Sequence, residues 1–256
     1  MSEGRSIAEA CRRRQHELVG TRVEPWAYGT AVRADDVPTF YDYNLVRVEG
    51  EDPGVDAAAL AAAAEAAHEG LEHRRMEVFD RAAGERLRPG FAALGWRTDR
   101  LAFLHRTLPA PVAPAPAGVE LRVEGFEASR PLRDAWRGET VHADGPEFVI
   151  VEERVARRRG TNATVAYARD EPVAFAAASC HDGTVEIELA FVRPERRGGG
   201  LGAAVIGRSL EDAAARGARD ALIEADDEGD AKRLYERLGF RTVWVRHVFT
   251  RLPARA

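Results

Sequence analysis

The alternation of apolar and polar residues predicts several strands in the second half of the chain. Residues 164–168, 172–180 and 184–192 are strand-like runs, and short polar turns separate them. Such spacing predicts an antiparallel meander of three strands, and GVELRV (118–123) predicts a strand before it. A strict alternation in the third strand gives two faces. Val185, Ile187, Leu189 and Phe191 are expected on one face, and Glu186 and Glu188 on the other.

Helical periodicity follows the third strand. Apolar residues recur at helical spacing from Leu201 to Ala213, and Gly217 is expected to end this helix. A strand (221–225), an acidic loop (226–230), a short helix (231–238) and a last strand (241–249) complete the pattern. Two further helices are expected near 132–139 and 147–158, before the meander. Strands that alternate with helices in this way indicate an α/β (α+β) fold.

The first part of the chain repeats the ending of the second. LGWRT at 94–98 matches LGFRT at 238–242 with an offset of 144 residues. The same offset aligns YDYNLVRV (41–48), a predicted strand, with the end of the third meander strand. A proline- and alanine-rich segment, LPAPVAPAPAG, lies between the two parts and reads as a semi-rigid linker. We therefore predict an incomplete first copy (1–107), a linker (108–117) and a full second copy (118–256).

Composition excludes several classes of function. The 37 basic and 42 acidic residues give a net charge of −5, which provides no global attraction to nucleic acid or to anionic membranes. Cys11 and Cys180 make neither a disulfide framework nor a metal site. The first twenty residues lack the apolar core of a signal peptide. A cytoplasmic location is the expectation, with either a monomer or a homodimer.

The segment FVRPERRGGGLGAAV (191–205) raises the question of what its glycine turn holds. A P-loop requires lysine followed by serine or threonine after the glycines, whereas Ala203 and Ala204 occupy that region. A dinucleotide fingerprint fits loosely, but it belongs to the first turn of a parallel βαβ unit. The third reading is Arg197-x-x-Gly200-x-Gly202 between a strand and a helix. Its backbone amides and the helix N-terminus suit a diphosphate.

At these residues the sequence resembles the GNAT superfamily of acyl-CoA-dependent N-acetyltransferases. The family's strand ending in V-x-P, followed by R-x-x-G-x-G and a helix, is matched from Val192 to Gly202. Its later motif, A-x-x-L-Y-E-x-x-G-F, is matched from Ala231 to Phe240. The resemblance implies two GNAT-like domains, each with a mixed, mostly antiparallel sheet flanked by helices. It is similar to the tandem arrangement of a working copy and a degenerate copy.

The resemblance implies a site for acetyl-CoA, used as co-substrate. The pantetheine arm would pair along the strand end, and the pyrophosphate would lie on the glycine-turn amides. The implied cofactor-binding residues are Leu189, Ala190, Phe191, Val192, Arg197, Gly198, Gly199, Gly200, Leu201 and Gly202. Tyr235 occupies the position of the acid that protonates the leaving thiolate. Glu186 and Glu188 are the candidates for the base, with Glu186 slightly preferred.

The first copy and one position of the second depart from this pattern. At the offset of 144 the first copy has Pro53, Asp56, Ala58 and Phe91 in place of Arg197, Gly200, Gly202 and Tyr235. It is therefore expected to bind no cofactor. In the second copy Glu228 stands where many members carry an asparagine that helps to hold the cofactor. This departure leaves open a non-catalytic acyl-CoA-binding protein beside an N-acetyltransferase acting on a small primary amine.

The acceptor residues are the least defined part of the prediction. Acidic and aromatic side chains between the first strand and the meander would suit a cationic amine, although a solvated helix face explains them equally. These residues are Asp134, Trp136, Glu139, His142, Asp144 and Glu147. The first copy offers Trp26, Tyr28, Tyr41 and Tyr43, as packing or as a wall of the acceptor site. His181 is a further histidine candidate in a predicted turn.

Overall fold

A computed structural model describes residues 2–139 and 146–253 of the chain. Its helices are α1 (Glu3–Val19), α2 (Ala57–Ala64), α3 (Arg81–Ala93), α4 (Arg130–Glu139), α5 (Pro146–Arg159), α6 (Leu201–Ala215) and α7 (Asp230–Arg237). Its strands are β1 (Arg22–Trp26), β2 (Gly29–Arg33), β3 (Leu45–Val48), β4 (Arg74–Val78), β5 (Arg97–Thr107), β6 (Val119–Gly125), β7 (Asn162–Ala168), β8 (Glu171–His181), β9 (Thr184–Val192), β10 (Asp220–Asp226) and β11 (Arg241–Arg251). No helix of the described residues is long and apolar enough to cross a membrane.

The chain divides into two compact units, each assembled from segments that are not contiguous in sequence. Unit 1 comprises Met1–Cys11, Phe103–Glu224 and Asp230–Val243. Unit 2 comprises Arg12–Ala102, Ala225–Gly229 and Trp244–Ala256. The predicted domains were contiguous ranges, 1–107 and 118–256, so the units differ from them in their terminal segments and in the loop Ala225–Gly229. The predicted linker packs within unit 1, where the side chain of Val112 lies against Gly207 of α6.

The sheet of unit 1 has the strand order β5-β10-β9-β8-β7-β6. The pairs β6–β7, β7–β8 and β8–β9 are antiparallel and β9–β10 is parallel, which confirms the predicted meander. Val165 of β7 packs with Ala156 of α5 in a cluster that also contains Leu132 of α4. The neighbouring Thr164 bonds to Ser209 of α6 instead. Because adjacent strand residues point to opposite faces, α4 and α5 cover one face and α6 the other.

A β-bulge in β9 corrects the predicted faces of that strand. Leu189 pairs with Ala177 of β8, but Ile187 pairs with the next residue, Ala178, so Glu188 is an extra residue in the strand. Ala177 and Ala178 are adjacent and point to opposite faces. Ile187 and Leu189 therefore face opposite sides of the sheet, and the predicted single apolar row from Val185 to Phe191 was wrong. Strict alternation assumed an unbroken ladder, which one extra residue interrupts.

Unit 2 has the strand order β1-β2-β3-β4-β11. The pair β3–β4 is parallel, and the other three pairs are antiparallel. Apolar residues of α2 and α3 pack on this sheet in one cluster, including Leu60 and Leu87. The predicted strand at 41–48 is shorter than expected and begins at Leu45. The side chain of Asn44 accepts from the Ala34 amide and donates to two loop carbonyls, which holds the preceding residues in a turn.

The boundaries of the elements confirm the offset of 144 residues. β5 runs from Arg97 to Thr107, and β11 runs from Arg241 to Arg251, which are the same positions in the two copies. Likewise α2 begins at Ala57 and α6 at Leu201. The sequence identity between the copies is sparse, yet β5 and β11 start and stop in register, and α2 and α6 start in register. The two halves therefore share one pattern of secondary structure.

Four histidines are buried in unit 2: His16, His68, His73 and His247. Burial lowers the pKa of each, because the interior disfavours the charged imidazole. The pKa of His73 falls to about 4. Its Nε2 lies 2.9 Å from the carbonyl oxygen of Asn44, and its ring stacks on Tyr41. The interior of unit 2 thus contains four uncharged histidines.

This burial predicts a loss of stability in mild acid. The unfolded chain takes up protons near pH 6.5, whereas folded His73 does so only near pH 4. The stabilisation is complete above pH 6.5 and declines as the pH falls. For His73 alone the loss at pH 5 is about 2 kcal/mol. His73→Gln keeps a donor for the Asn44 carbonyl and cannot titrate. Between pH 7.5 and pH 5, the free energy of unfolding measured in urea should fall by about 2 kcal/mol less in His73→Gln than in the parent. An equal fall in the two proteins would contradict the account.

Candidate functional site

The glycine turn presents a helix N-terminus that no described side chain caps. After β9 ends at Val192, one 3-10 turn leads to Gly198 and Gly200, whose φ angles are +81° and +83°. A side chain would strain both positions, although nothing lies within 4 Å of where it would be. α6 then starts at Leu201 without a side-chain cap. Its first amides therefore have no side-chain cap, and a helix N-terminus of this kind can bind an anion.

The equivalent helix of the first copy is already capped. Asp56, at the position of Gly200, accepts a hydrogen bond from the Ala59 amide at 2.8 Å. Its φ of −80° is ordinary for a side-chain-bearing residue. A carboxylate of the chain thus occupies the place at this helix where an external anion would bind. That the first copy binds no cofactor stays a prediction.

The second copy has an open strand edge next to its glycine turn. The parallel pairing of β9 with β10 covers Thr184–Ile187 and ends at Ile223. Beyond it, Leu189–Val192 pair with β8 alone among the described strands. In the first copy, β3 stays paired with β4 to its last residue, Val48, and its ladder with β2 has no shift in register. Backbone groups for an added strand are therefore available on β9 and not on β3.

Gly202 brings the glycine turn, β9 and α7 together. A Cβ built on Gly202 would lie 3.5 Å from Val192 Cγ2 and 3.7 Å from Leu234 Cδ2. Leu234 precedes Tyr235, so the tyrosine helix packs at the start of α6. Tyr235 is 8% exposed, and burial raises the pKa of its phenol. The hydroxyl therefore stays protonated at neutral pH and is able to donate a proton.

Arg197 does not lie over the amides of the turn in this structure. Its Nε donates to the carbonyl oxygen of Val192 at 3.1 Å, and its Nη2 lies 2.7 Å from Glu139 Oε2. The guanidinium also covers the ring of Phe191, at 5.7 Å from its centroid. The side chain is about half exposed. Its predicted grip on a phosphate stays a prediction that requires a change of rotamer.

The two candidate bases lie together at the bulge. Glu186 Oε2 accepts from Arg159 Nη2 at 2.6 Å, and Glu188 Oε1 lies 3.2 Å from the same nitrogen. Thr161 donates its hydroxyl to Glu188 at 2.9 Å. Both carboxylates thus share the side of the sheet covered by α5 with Leu189 and Phe191, whereas the alternation predicted them on the face opposite those two residues. The site brings them to the beginning of the open edge of β9.

Arg159 and Thr161 were missed by the sequence analysis. Arg159 is the last residue of α5, where Val155 and Ala156 are buried four and three residues before it. Side chains at that spacing share a helix face, so Arg159 falls on the buried face. An arginine on an apolar helix face was the available signal. Its partners on β9 could not be identified without the packing of α5 on the sheet.

The acidic loop that carries Glu228 is held by an arginine of the same unit. Arg100 pairs with Asp227 and lies 3.2 Å from Glu228 Oε1. Asp226 Oδ1 accepts from the Glu228 amide at 2.9 Å, which closes the turn. The Glu228 side chain is 61% exposed. Glu228 thus takes part in the structure of this loop.

The predicted acceptor residues of the second copy make separate contacts. Asp134 pairs with Arg137, Trp136 joins the apolar cluster beneath α4, and Glu139 pairs with Arg197. His142 and Asp144, and the side chain of Glu147, lie outside the described residues. His181 bonds to the carbonyl of Arg159.

The aromatic residues of the first copy are used for packing within unit 2. The indole of Trp26 donates to the carbonyl of Arg47 and packs edge-on against Tyr28. Tyr41 stacks on His73, and Tyr43 is buried against Phe40. Of the two interpretations given to these four residues, packing inside the unit accounts for their contacts.

Comparisons with known proteins agree with this geometry. Residues 159–242 match the family model for an acetyltransferase (GNAT) domain. No curated protein matches the chain. A GCN5-related N-acetyltransferase from Kribbella flavida has a similar fold, with a TM-score of 0.68 and 20% identity over 100% of this chain and 97% of its own.

Two other solved structures have the same fold. A conserved protein of unknown function from Staphylococcus epidermidis has a TM-score of 0.70 and 14% identity, covering 93% of this chain and 96% of that one. A tandem GNAT protein from the clavulanic acid biosynthesis pathway has a TM-score of 0.55 and 18% identity, covering 78% and 70%. The residues that match the family model for a GNAT acetyltransferase domain, 159–242, contain the bulged strand, the glycine turn and the tyrosine helix.

Proposed function

We propose that the protein transfers an acetyl group from acetyl-CoA to a primary amine of a small molecule, by direct attack in a ternary complex. The observation that carries this proposal is the combination of an uncapped glycine turn with an open edge on the strand before it. The first copy, with the same secondary structure, has neither feature. Both features are therefore specific to the second copy and not general consequences of the fold.

Acetyl-CoA would be held mainly by backbone groups. The amides from Gly198 to Gly202 would take the pyrophosphate, because successive N–H groups and the helix dipole favour a diphosphate. The open edge from Leu189 to Val192 would pair with the pantetheine amides, as an added strand does. Arg197 would supply a positive charge at the rim once it leaves Glu139. Specificity for this co-substrate thus rests on main-chain geometry.

The chemistry requires two proton transfers. The amine nitrogen attacks the thioester carbon, the C–S bond breaks, and the amine loses a proton. A carboxylate of β9, Glu186 or Glu188, would take that proton through water. Tyr235 would give its phenolic proton to the departing thiolate, since burial keeps the phenol protonated. A backbone amide near Ala190 would stabilise the oxyanion.

A non-catalytic acyl-CoA-binding protein is the second candidate, because Glu228 stands at the position of the family's asparagine. It would use the same glycine turn and the same strand edge. The two candidates differ only in turnover. Purified protein incubated with acetyl-CoA and a panel of small primary amines, with free thiol as the readout, separates them.

Removing the Tyr235 hydroxyl tests its role as the acid. Tyr235→Phe keeps the buried ring and should lower kcat by roughly 10²–10⁴-fold, as expected for the loss of a general acid. Tyr28→Phe, a tyrosine in unit 2, is the matched control and should keep the parental kcat. Binding of CoA should be the same in all three proteins. A Tyr235→Phe variant with unchanged turnover would remove this residue from the mechanism.

A carboxylate at Gly200 tests the phosphate site. Gly200→Asp reproduces the capping residue of the first copy, so its charge should compete with the diphosphate and weaken CoA binding by more than about 100-fold. Gly200→Asn has nearly the same shape, tolerates a positive φ and lacks the charge. It should retain much more affinity than the aspartate variant in calorimetry. Equal affinity of the two variants would show that the turn does not bind the diphosphate.

A further inference from the structure

The end of α4 places a carboxylate against the residue that precedes the glycines of the turn. Glu139, the last residue of α4, has its Oε2 2.7 Å from Nη2 of Arg197. Leu132 and Trp136 of the same helix pack in the apolar cluster that contains Phe191 of β9. Positions 132, 136 and 139 lie on one face of a helix. The packing that buries this face of α4 therefore also brings the carboxylate to the end of β9.

This ion pair is accessible to solvent and therefore weak. The side chains of Arg197 and Glu139 are 53% and 36% exposed, so water and salt screen their attraction. The glutamate is also poorly placed for its helix, because a helix C-terminus carries the negative end of the dipole. Arg197 offsets that repulsion. A more highly charged anion at the turn can nonetheless replace the single carboxylate as the partner of the guanidinium.

Two further contacts of Arg197 involve the end of β9. Its Nε donates to the carbonyl oxygen of Val192 at 3.1 Å, and its guanidinium lies 5.7 Å from the centroid of the Phe191 ring. Neither contact depends on the carboxylate of Glu139. When that carboxylate leaves, these contacts keep the arginine beside the turn, next to the amides proposed to bind the diphosphate.

From this arrangement we infer that Glu139 is an internal competitor for Arg197. In the free protein the carboxylate holds the guanidinium, and the diphosphate of the coenzyme takes its place on binding. The inference rests on the proposed binding of acetyl-CoA at the glycine turn. The apparent affinity is reduced, because only molecules whose Arg197 has been released are fully competent to bind. Glu139 therefore sets coenzyme affinity from the end of α4, outside the turn and the strand that hold the coenzyme.

Glu139→Gln tests the competition by calorimetry with coenzyme A at low ionic strength. The variant should bind coenzyme A about three- to fivefold more tightly than the parent, because the exposed ion pair no longer has to be broken. Glu195→Gln is the matched control. It removes the same charge from an exposed residue of the 3-10 turn Pro194–Arg196, and should change Kd by less than about 1.5-fold. An unchanged Kd in Glu139→Gln, or an equal gain in the two variants, would overturn the inference.

A double variant shows whether Glu139 acts through Arg197. Arg197→Met should weaken the binding of coenzyme A, since it removes a positive charge at the rim of the turn. Adding Glu139→Gln to Arg197→Met should then change Kd by less than about 1.5-fold, because the competitor has lost its target. A gain as large as in the parent background would mean that Glu139 acts only through repulsion of the diphosphate, and would overturn the inference.

Salt provides a second readout of the same competition. The advantage of Glu139→Gln over the parent should disappear at about 1 M salt, where the attraction between exposed charges is screened. An advantage of the same size at low and high salt would contradict an ion-pair origin and overturn the inference. The Tm of Glu139→Gln should stay within about 2 °C of the parent, as for most surface substitutions, so that the affinities compare folded proteins.

The inference and the proposed function fail in different ways. A parent that binds coenzyme A with the same Kd as Glu139→Gln would overturn the role of Glu139 while the proposed function stands. A parent that does not bind coenzyme A would overturn the proposed function, and the inference with it. The calorimetric titration of the parent therefore separates the two failures before any variant is compared.

Discussion

The site depends on the place where β9 stops pairing with β10. The parallel ladder ends at Ile187 and Ile223, and the next residue, Glu188, is the bulge. Because the bulge adds a residue on β9, it turns Leu189 and Phe191 to the face of α4 and α5. The open edge toward β10 begins at the same residue, Glu188.

The internal repeat shows which parts of the fold this site requires. The two copies share several helix and strand boundaries at an offset of 144 residues, but β3 has no shift in register and pairs with β4 to its end. Its following helix is capped by Asp56, whereas α6 begins at an uncapped Gly200. The first copy thus differs from the candidate binding site of the second in two local features. Its strand β3 is paired with β4 to the end, and a side chain caps the helix that follows.

Much of the fold could be predicted because it follows from periodicity and glycine placement. The meander, the helix after the glycine turn and the repeat register all rest on local patterns that tertiary packing did not override. The faces of β9 could not be predicted, since a bulge leaves no clear mark in the sequence between Glu186 and Leu189. Arg159 was missed for a different reason. Its partners are 27 and 29 residues away in sequence, and only the packing of α5 on the sheet brings them together.

A crystal structure with coenzyme A would test the central claim most directly. The account predicts one coenzyme per chain, with its pyrophosphate within hydrogen-bond distance of the amides from Gly198 to Gly202. It also predicts that the pantetheine arm pairs with the backbone of Leu189–Val192. The N-terminus of α2, which Asp56 caps, is expected to bind no ligand. A coenzyme bound at the first copy, or one whose phosphates lie away from the amides of the glycine turn, would contradict it.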